Sequence, residues 1–325
     1  MSMINKVVAN TSIMAFGRFL GKIIGFVTTI ILARYLGVEL FGQYSLVLSF
    51  IAIFLFLNDF GVAYYVVREI SRDKTKTNEL LGNALSLKVA FSIFAILVTN
   101  IAAIFAGYNP QIMFLIAIFS IIHLSGSLSS LFSIVFQLNL KLHYNVIVET
   151  LQAILLLAIV GIFAARAGSL EQILIFYASS TFLVTAVGYF FARKFASFRP
   201  RFDYAVWKKI FFSSWPFALN TVFSAIYTRI DVVILSIIAS QTVIGLYSAV
   251  FRFTEALAFI PLGLLITLYP IMSMYFKESK EALKRTTLIA MKFLVVLFVP
   301  IVVGTFLLAP RLLAVVYGSE FFEKS

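Results

Sequence analysis

Long apolar runs alternate with short polar connections along the whole chain. A helix that crosses a bilayer needs about 20 consecutive, mostly apolar residues. On that criterion the pattern predicts nine spans, with cores at 12–33, 41–66, 81–106, 112–136, 144–165, 171–192, 211–239, 243–274 and 287–309. Turn residues punctuate them, as in "YLGVELFG", "AGYNP" and "ARAGS". The longest polar stretches, Arg68–Glu79, Arg193–Lys209 and Lys277–Arg285, are too short to form soluble domains. The first apolar stretch continues to Ala33 without a small-residue cleavage site, so it reads as a span and not as a signal peptide. After the ninth core, "LLAPRLLAVVYGSEFFEKS" reads as a loop or surface helix leading towards another span. The chain is therefore expected to be C-terminally truncated.

Composition agrees with this pattern. Hydrophobic residues make up 62% of the 325 positions and charged residues 12%. The latter is about half the share usual in soluble domains. A soluble globule could not hide so much apolar surface, so the expected class is an all-α, polytopic membrane protein. The absence of cysteine excludes disulfides and thiolate metal sites. His123 and His143 are too far apart in sequence to read as a zinc pair, and no metal or cofactor is expected.

The net charge of +12 would suggest nucleic acid in a soluble protein. Here its distribution points elsewhere. Even-numbered loops and their flanks hold Arg68, Arg72, Lys74, Lys76 and Lys88, then Lys141. They go on to Arg193, Lys194, Arg199, Arg201, Lys208 and Lys209, and to Lys277, Lys280, Lys284, Arg285 and Lys292. Odd-numbered loops hold Arg34 and Arg166. By the positive-inside rule this asymmetry puts the N-terminus in the cytoplasm. Basic cytoplasmic loops also attract anionic lipid headgroups.

An internal similarity appears when the chain is shifted by 203 residues. "LARYLGVELFGQYSLVLSF" (32–50) then falls on "LSIIASQTVIGLYSAVFRF" (235–253). Leu32, Gly42, Tyr44, Ser45, Val47 and Phe50 meet Leu235, Gly245, Tyr247, Ser248, Val250 and Phe253. Both segments join an odd-numbered span to the next, so the two halves share an orientation. That is the parallel-repeat arrangement of two-lobed transporters, with a site between lobes. The alternative is two similar helical hairpins with the same turn chemistry. The expected lobes are residues 1–195 (spans 1–6) and 196–325 (spans 7–9, incomplete).

Charges within the apolar runs are the candidate chemistry, because an ionisable group at bilayer depth costs at least about 2.5 kcal/mol. Lys22 must lie inside the first span, and Arg18 is one turn earlier on the same face. Arg18 either lies deep or reaches back to the interface. Hairpin counting places others. From the turn near Gln241, Asp231 is ten residues back, Arg229 twelve back, Arg252 eleven forward and Glu255 fourteen forward. At about 1.5 Å per residue these four sit near one level, close to the midplane. Arg252 and Glu255 also share a helix face. From the turn near Val38, Arg18 and Asp59 are twenty and twenty-one residues away. The groups either neutralise one another as buried ion pairs, or line a cationic cavity with acids available for coupling. Asn58, Gln137, Gln152 and Asn220 are expected to join helices. Glu149 and His123 read as lone ionisable groups, interfacial or hydrogen-bonded to a neighbour.

Three stretches carry a family resemblance: "GRFLGKIIGFVTTIILARYLGVELFGQYSLVLSF", "NDFGVAYYVVREISR" and "YTRIDVVILSIIASQTVIGLYSAVFRF". With "LLAVVYGSEF" they resemble polysaccharide-biosynthesis flippases of the O-antigen translocase type. These belong to the multidrug/oligosaccharidyl-lipid/polysaccharide exporter superfamily. The resemblance implies two pseudo-symmetric helical lobes around a central cavity. It also implies translocation of a polyprenyl-linked oligosaccharide from the cytoplasmic to the outer leaflet by alternating access. By position it makes Arg18, Lys22 and Arg252 the cavity cations that meet the lipid diphosphate, with Arg68 at the cytoplasmic mouth. Asp59, Arg229, Asp231 and Glu255 are the expected coupling or cavity ion pairs. Expected partners are the lipid-linked saccharide, membrane lipids, and a polysaccharide polymerase and glycosyltransferases. The alternatives are a cation-coupled multidrug exporter of the same superfamily and an integral-membrane glycosyl- or acyltransferase. Glu69, Asp73 and Glu79, the acidic residues near a membrane face, lack a metal-binding spacing.

Overall fold

The structure, a computed structural model, describes residues 3–323, with the side chains of residues 17–323 other than those at 259, 262, 266, 310 and 322. It is nearly all helical, and no strand occurs among the described residues. Seven segments among these residues are long and apolar enough to cross a membrane. The expected count of nine is not confirmed, because two apolar runs divide differently. Expected spans 1 and 2 lie in one stretch, Gly17–Arg72. The eighth is split near Ala258 into α9 (Gln241–Leu257) and α10 (Phe259–Glu278).

The chain forms two compact units, Met1–Ile244 and Gly245–Ser325. In the first, α1 (Met3–Phe54) turns once, at Gly37, whose φ of 71° and ψ of 176° are not helical. The helix α2 (Val62–Arg72) follows a short 3-10 turn, Leu55–Asn58. Next come α3 (Thr77–Phe105), α4 (Pro110–Phe119), α5 (Ile122–Leu138), α6 (His143–Ala165), α7 (Leu170–Ala192) and α8 (Tyr204–Ile238). α1 packs on α6 and α8, α3 on α5, α5 on α7, and α2 on α5 and α8. Several caps are legible in the sequence. Asn109 caps α4 with Pro110 behind it, Ser169 and Gln172 make a capping box on α7, and Asp203 caps α8. Between α2 and α3, Asp73 accepts from Thr75, and that hydrogen bond, reinforced by Lys76, holds its carboxyl below the usual carboxylate range.

The helix faces are inverted relative to a soluble bundle. On α3 the buried stripe holds Ala84, Lys88, Ser92, Ala95, Thr99 and Ala103, at three- and four-residue spacing. Its exposed face carries Ile93, Phe94, Leu97, Ile101, Ile104 and Phe105. Small and polar groups let neighbouring helices approach closely, while large apolar groups suit lipid. α2 follows the soluble rule. Val62, Tyr65, Val66 and Ile70 join a core with Leu81, Leu87, Leu131 and Phe136, while Arg68, Glu69 and Arg72 lie on the other side.

The second unit contains most of α9, then α10, α11 (Lys280–Tyr317) and the short α12 (Ser319–Glu323). α11 packs on α10 and α12. The segment after the ninth core, expected as a loop or surface helix, continues α11 without interruption to Tyr317.

The 203-residue shift finds structural counterparts. It carries Gly37, where α1 turns, onto Ser240, in the break between α8 and α9. Ser45 and Ser248 are both buried, and both hydroxyls lack a hydrogen-bond partner. Phe50 meets Tyr108 edge-on at 5.4 Å, and Phe253 meets Tyr317 edge-on at 5.7 Å.

Candidate functional site

The second apolar run is interrupted at "LNDFG". Its helix tightens to 3-10 over Leu55–Asn58, and Phe60 and Gly61 then take left-handed φ values of 45° and 78°. Gly61 is required twice. Its φ suits glycine, and a Cβ there would come within 2.5 Å of the Ser214 carbonyl oxygen on α8. Phe60 accepts a left-handed conformation because its ring is held, stacked on Phe211 at 5.0 Å and edge-on to Phe91.

A polar network surrounds this break. Lys88 on α3 is fully buried; its ammonium donates to Asp59 Oδ1 and to Ser130 Oγ of α5, the latter at 2.9 Å. Ser130 also donates to Asp59 at 3.1 Å, and the Asp59 carboxylate accepts the Ala63 N–H in the first turn of α2. Next to it, the Asn58 side-chain oxygen lies 2.8 Å from His123 Nδ1, and His123 Nε2 lies 3.1 Å from Thr99 Oγ1. Ser127 donates to the backbone carbonyls of Asn58 and Lys88. Side chains of α3 and α5 thus meet the polar groups of Asn58 and Asp59, as an apolar surrounding demands. Sequence reading placed Lys88 on a loop flank and His123 as a lone group. The signal that could have found them was their place on the polar, buried stripes of α3 and α5.

Arg18 lies elsewhere. Its Nε is 3.4 Å from Glu149 Oε2 on α6, and both side chains are about half exposed. Hairpin counting had matched Arg18 with Asp59 in depth, but each has a different partner. Depth along the membrane normal says nothing of the direction in which a side chain leaves its helix. Lys22, one turn beyond Arg18 on α1, is exposed. Arg68 sits at the polar end of α2, 3.1 Å from Glu69 and over the Tyr65 ring at 5.5 Å. Arg229 and Asp231 lie on α8, where Asp231 is half-buried and accepts the Val232 N–H at 2.8 Å. In the second unit Arg252 donates to Glu255 at 2.8 Å across one helical turn, as the i,i+3 spacing predicts. Tyr317 of α11 donates to the Ala249 carbonyl of α9 at 3.2 Å. Gln152, expected as helix glue, donates to Ser180 of α7.

A multi-pass helical membrane protein with charged groups held inside apolar helices is the class this architecture defines. Solved membrane transporters share this fold. It is similar to an inward-facing multidrug resistance MATE family transporter of the MOP superfamily, with a TM-score of 0.66 and 15% identity over 92% of this chain and 75% of that one. It is also similar to the MATE multidrug transporter DinF-BH, with a TM-score of 0.59 and 12% identity over 90% of this chain and 70% of that one. An outward-facing MATE family transporter matches with a TM-score of 0.53 and 15% identity over 98% of this chain and 77% of that one. No curated protein matches by sequence. Residues 7–276 match the family model described as polysaccharide biosynthesis protein, and the chain belongs to this family.

Proposed function

We propose that the protein is a flippase that moves a polyprenyl-linked oligosaccharide from the cytoplasmic to the outer leaflet by alternating access, without covalent chemistry. Family membership across residues 7–276 is the observation that carries this reading. The likeness of the fold to both an inward-facing and an outward-facing transporter supports alternating access.

A diphosphate headgroup with its sugars cannot cross hydrocarbon unaided. Its hydration must be replaced by cations and hydrogen-bond donors. Arg18 and Lys22 stand one turn apart on the exposed face of α1 and supply two of these cations. Arg252, on α9, supplies a third. Guanidinium can engage phosphate through two parallel hydrogen bonds, whereas lysine acts as a point charge. Arg68, at the polar end of α2, would meet the headgroup at the cytoplasmic mouth. Asp59, Arg229, Asp231 and Glu255 hold the site or couple it to an ion. The lobes that move are residues 1–195 and 196–325, the N-terminus is cytoplasmic, and the membrane is the cytoplasmic membrane. A polymerase and glycosyltransferases acting on the same lipid are the fitting partners.

A cation-coupled drug exporter is the second reading, favoured because the similar structures are multidrug transporters. Its cavity should hold acids without a facing set of bases, and the basic residues Arg18, Lys22 and Arg252 argue against it. Reconstituted vesicles separate the readings. Leaflet exchange of a labelled diphosphate lipid that disappears in Lys22→Ala and Arg252→Ala, with insertion intact, is the expected result. Full exchange in both variants, or export of a cationic dye instead, would overturn it.

A further inference from the structure

We propose that Glu149 is a resident counter-anion of the substrate site. It occupies Arg18 in the empty protein, competes there with the phosphates of the lipid, and keeps binding weak enough for release. The inference rests on the assignment of Arg18 to that site under the proposed function.

Glu149 is the single acidic residue of α6, whose first ten residues also hold His143, Asn145, Thr150 and Gln152 and whose remainder is apolar. An ionisable side chain within a membrane-crossing helix marks a candidate functional site. The pair Glu149 forms differs from the ion pair that joins α3 to the break before α2. Lys88 is fully buried against Asp59, with Ser130 completing its shell, so no outside anion can reach it. Arg18 and Glu149 are 54% and 52% exposed, and their contact of 3.4 Å is longer than a charge-assisted hydrogen bond. A contact of this kind is readily exchanged for a stronger one. Phosphate offers at least equal charge and a bidentate geometry for guanidinium, so it can displace the carboxylate. The Glu149 carboxylate is half exposed, so it can turn away from Arg18 without being enclosed by apolar neighbours.

The pairing is built into the helix packing. Gly17 precedes Arg18, and a Cβ at that position would lie 2.0 Å from Val146 Cγ1. Val146 is one turn before Glu149 on the same face of α6. The close approach of α1 and α6 at Gly17 therefore brings the arginine and the glutamate together. A transported ligand must bind well enough to enter and weakly enough to leave. A carboxylate fixed beside the cation meets both needs. An exposed ion pair corresponds to a factor of roughly 1.4 to 5 in a binding constant.

The test is titration of the purified protein in detergent micelles with geranylgeranyl diphosphate, together with vesicle translocation assays. Glu149→Gln should tighten binding by about two- to fivefold. Glu149→Asp, which keeps the charge, should stay near the wild type. Arg18→Ala should weaken binding, and in that background Glu149→Gln should no longer tighten it. In vesicles Glu149→Gln should lower the half-saturating lipid concentration without raising the maximal rate. A purely structural role would leave that concentration unchanged or raise it. If Arg18→Ala weakens binding but Glu149→Gln leaves it unchanged or weaker, the counter-anion role falls and the site assignment stands. If Arg18→Ala has no effect, both fall.

Discussion

The ammonium of Lys88, in the middle of α3, is fully buried and held by the carboxylate of Asp59 at the break in the preceding apolar run. The partners are unequal, because Asp59 keeps 24% of its side chain exposed while Lys88 keeps none. Removing the aspartate therefore strands a fully enclosed charge, whereas removing the lysine leaves a carboxylate that still accepts from Ser130 and from the Ala63 N–H.

Asp59→Asn should accordingly be the more damaging change. Stranding a buried charge costs about 3–5 kcal/mol. Lys88→Met should cost less, and Asp59→Asn combined with Lys88→Met should recover part of the loss. Thermal unfolding in detergent, followed by fluorescence, ranks the three variants. Equal losses in the two single variants would show that the pair does not carry this asymmetry.

Gly61→Ala should lower stability by more than the 1–2 kcal/mol or so of a left-handed residue alone, because its Cβ would also strike the Ser214 carbonyl. Gly107, with a φ of 71°, has no atom within 4 Å of such a Cβ. Gly107→Ala should therefore show the conformational cost without the clash. The difference between the two unfolding temperatures measures the close approach of α8 to the break.

Gly17→Ala should separate α1 from α6, while Gly25→Ala, which meets nothing within 4 Å, should be tolerated. Val146→Ala should rescue Gly17→Ala by removing the methyl group it strikes. Unfolding temperature reads the packing. A cysteine pair introduced at Arg18 and Glu149 should cross-link readily with native glycine at position 17 and more slowly with alanine there.

Arg68→Ala should raise the half-saturating concentration of diphosphate lipid by a few-fold and leave the maximal rate unchanged. A contact held equally in the bound state and at the barrier shifts half-saturation without changing the maximal rate. Arg252→Ala should instead bring the maximal rate down to background. Initial rates against lipid concentration in vesicles distinguish the two patterns.

Several features were legible along the chain itself. The apolar runs, the charges within them and the one-turn pairing of Arg252 with Glu255 all follow from spacing on a helix. The match of residues 32–50 with 235–253 placed Gly37 against Ser240, and both are helix breaks. Even the interruption of the second run has its signal, since Asn58, Asp59 and Gly61 are turn residues in an apolar stretch.

The sequence by itself determined most of the helical segments, which of them suit a membrane and most of the charges within them, though not Lys88, because helical period and hydropathy belong to the chain alone. Only the tertiary structure decided that Asp59 belongs to Lys88, Arg18 to Glu149 and His123 to Asn58 and Thr99. Counting residues from a turn gives the level of a side chain in its helix. Its partner depends on the rotation of each helix about its axis and on which helices become neighbours. That is set by close contacts such as Gly17 with Val146 and Gly61 with Ser214, which pair residues more than a hundred positions apart.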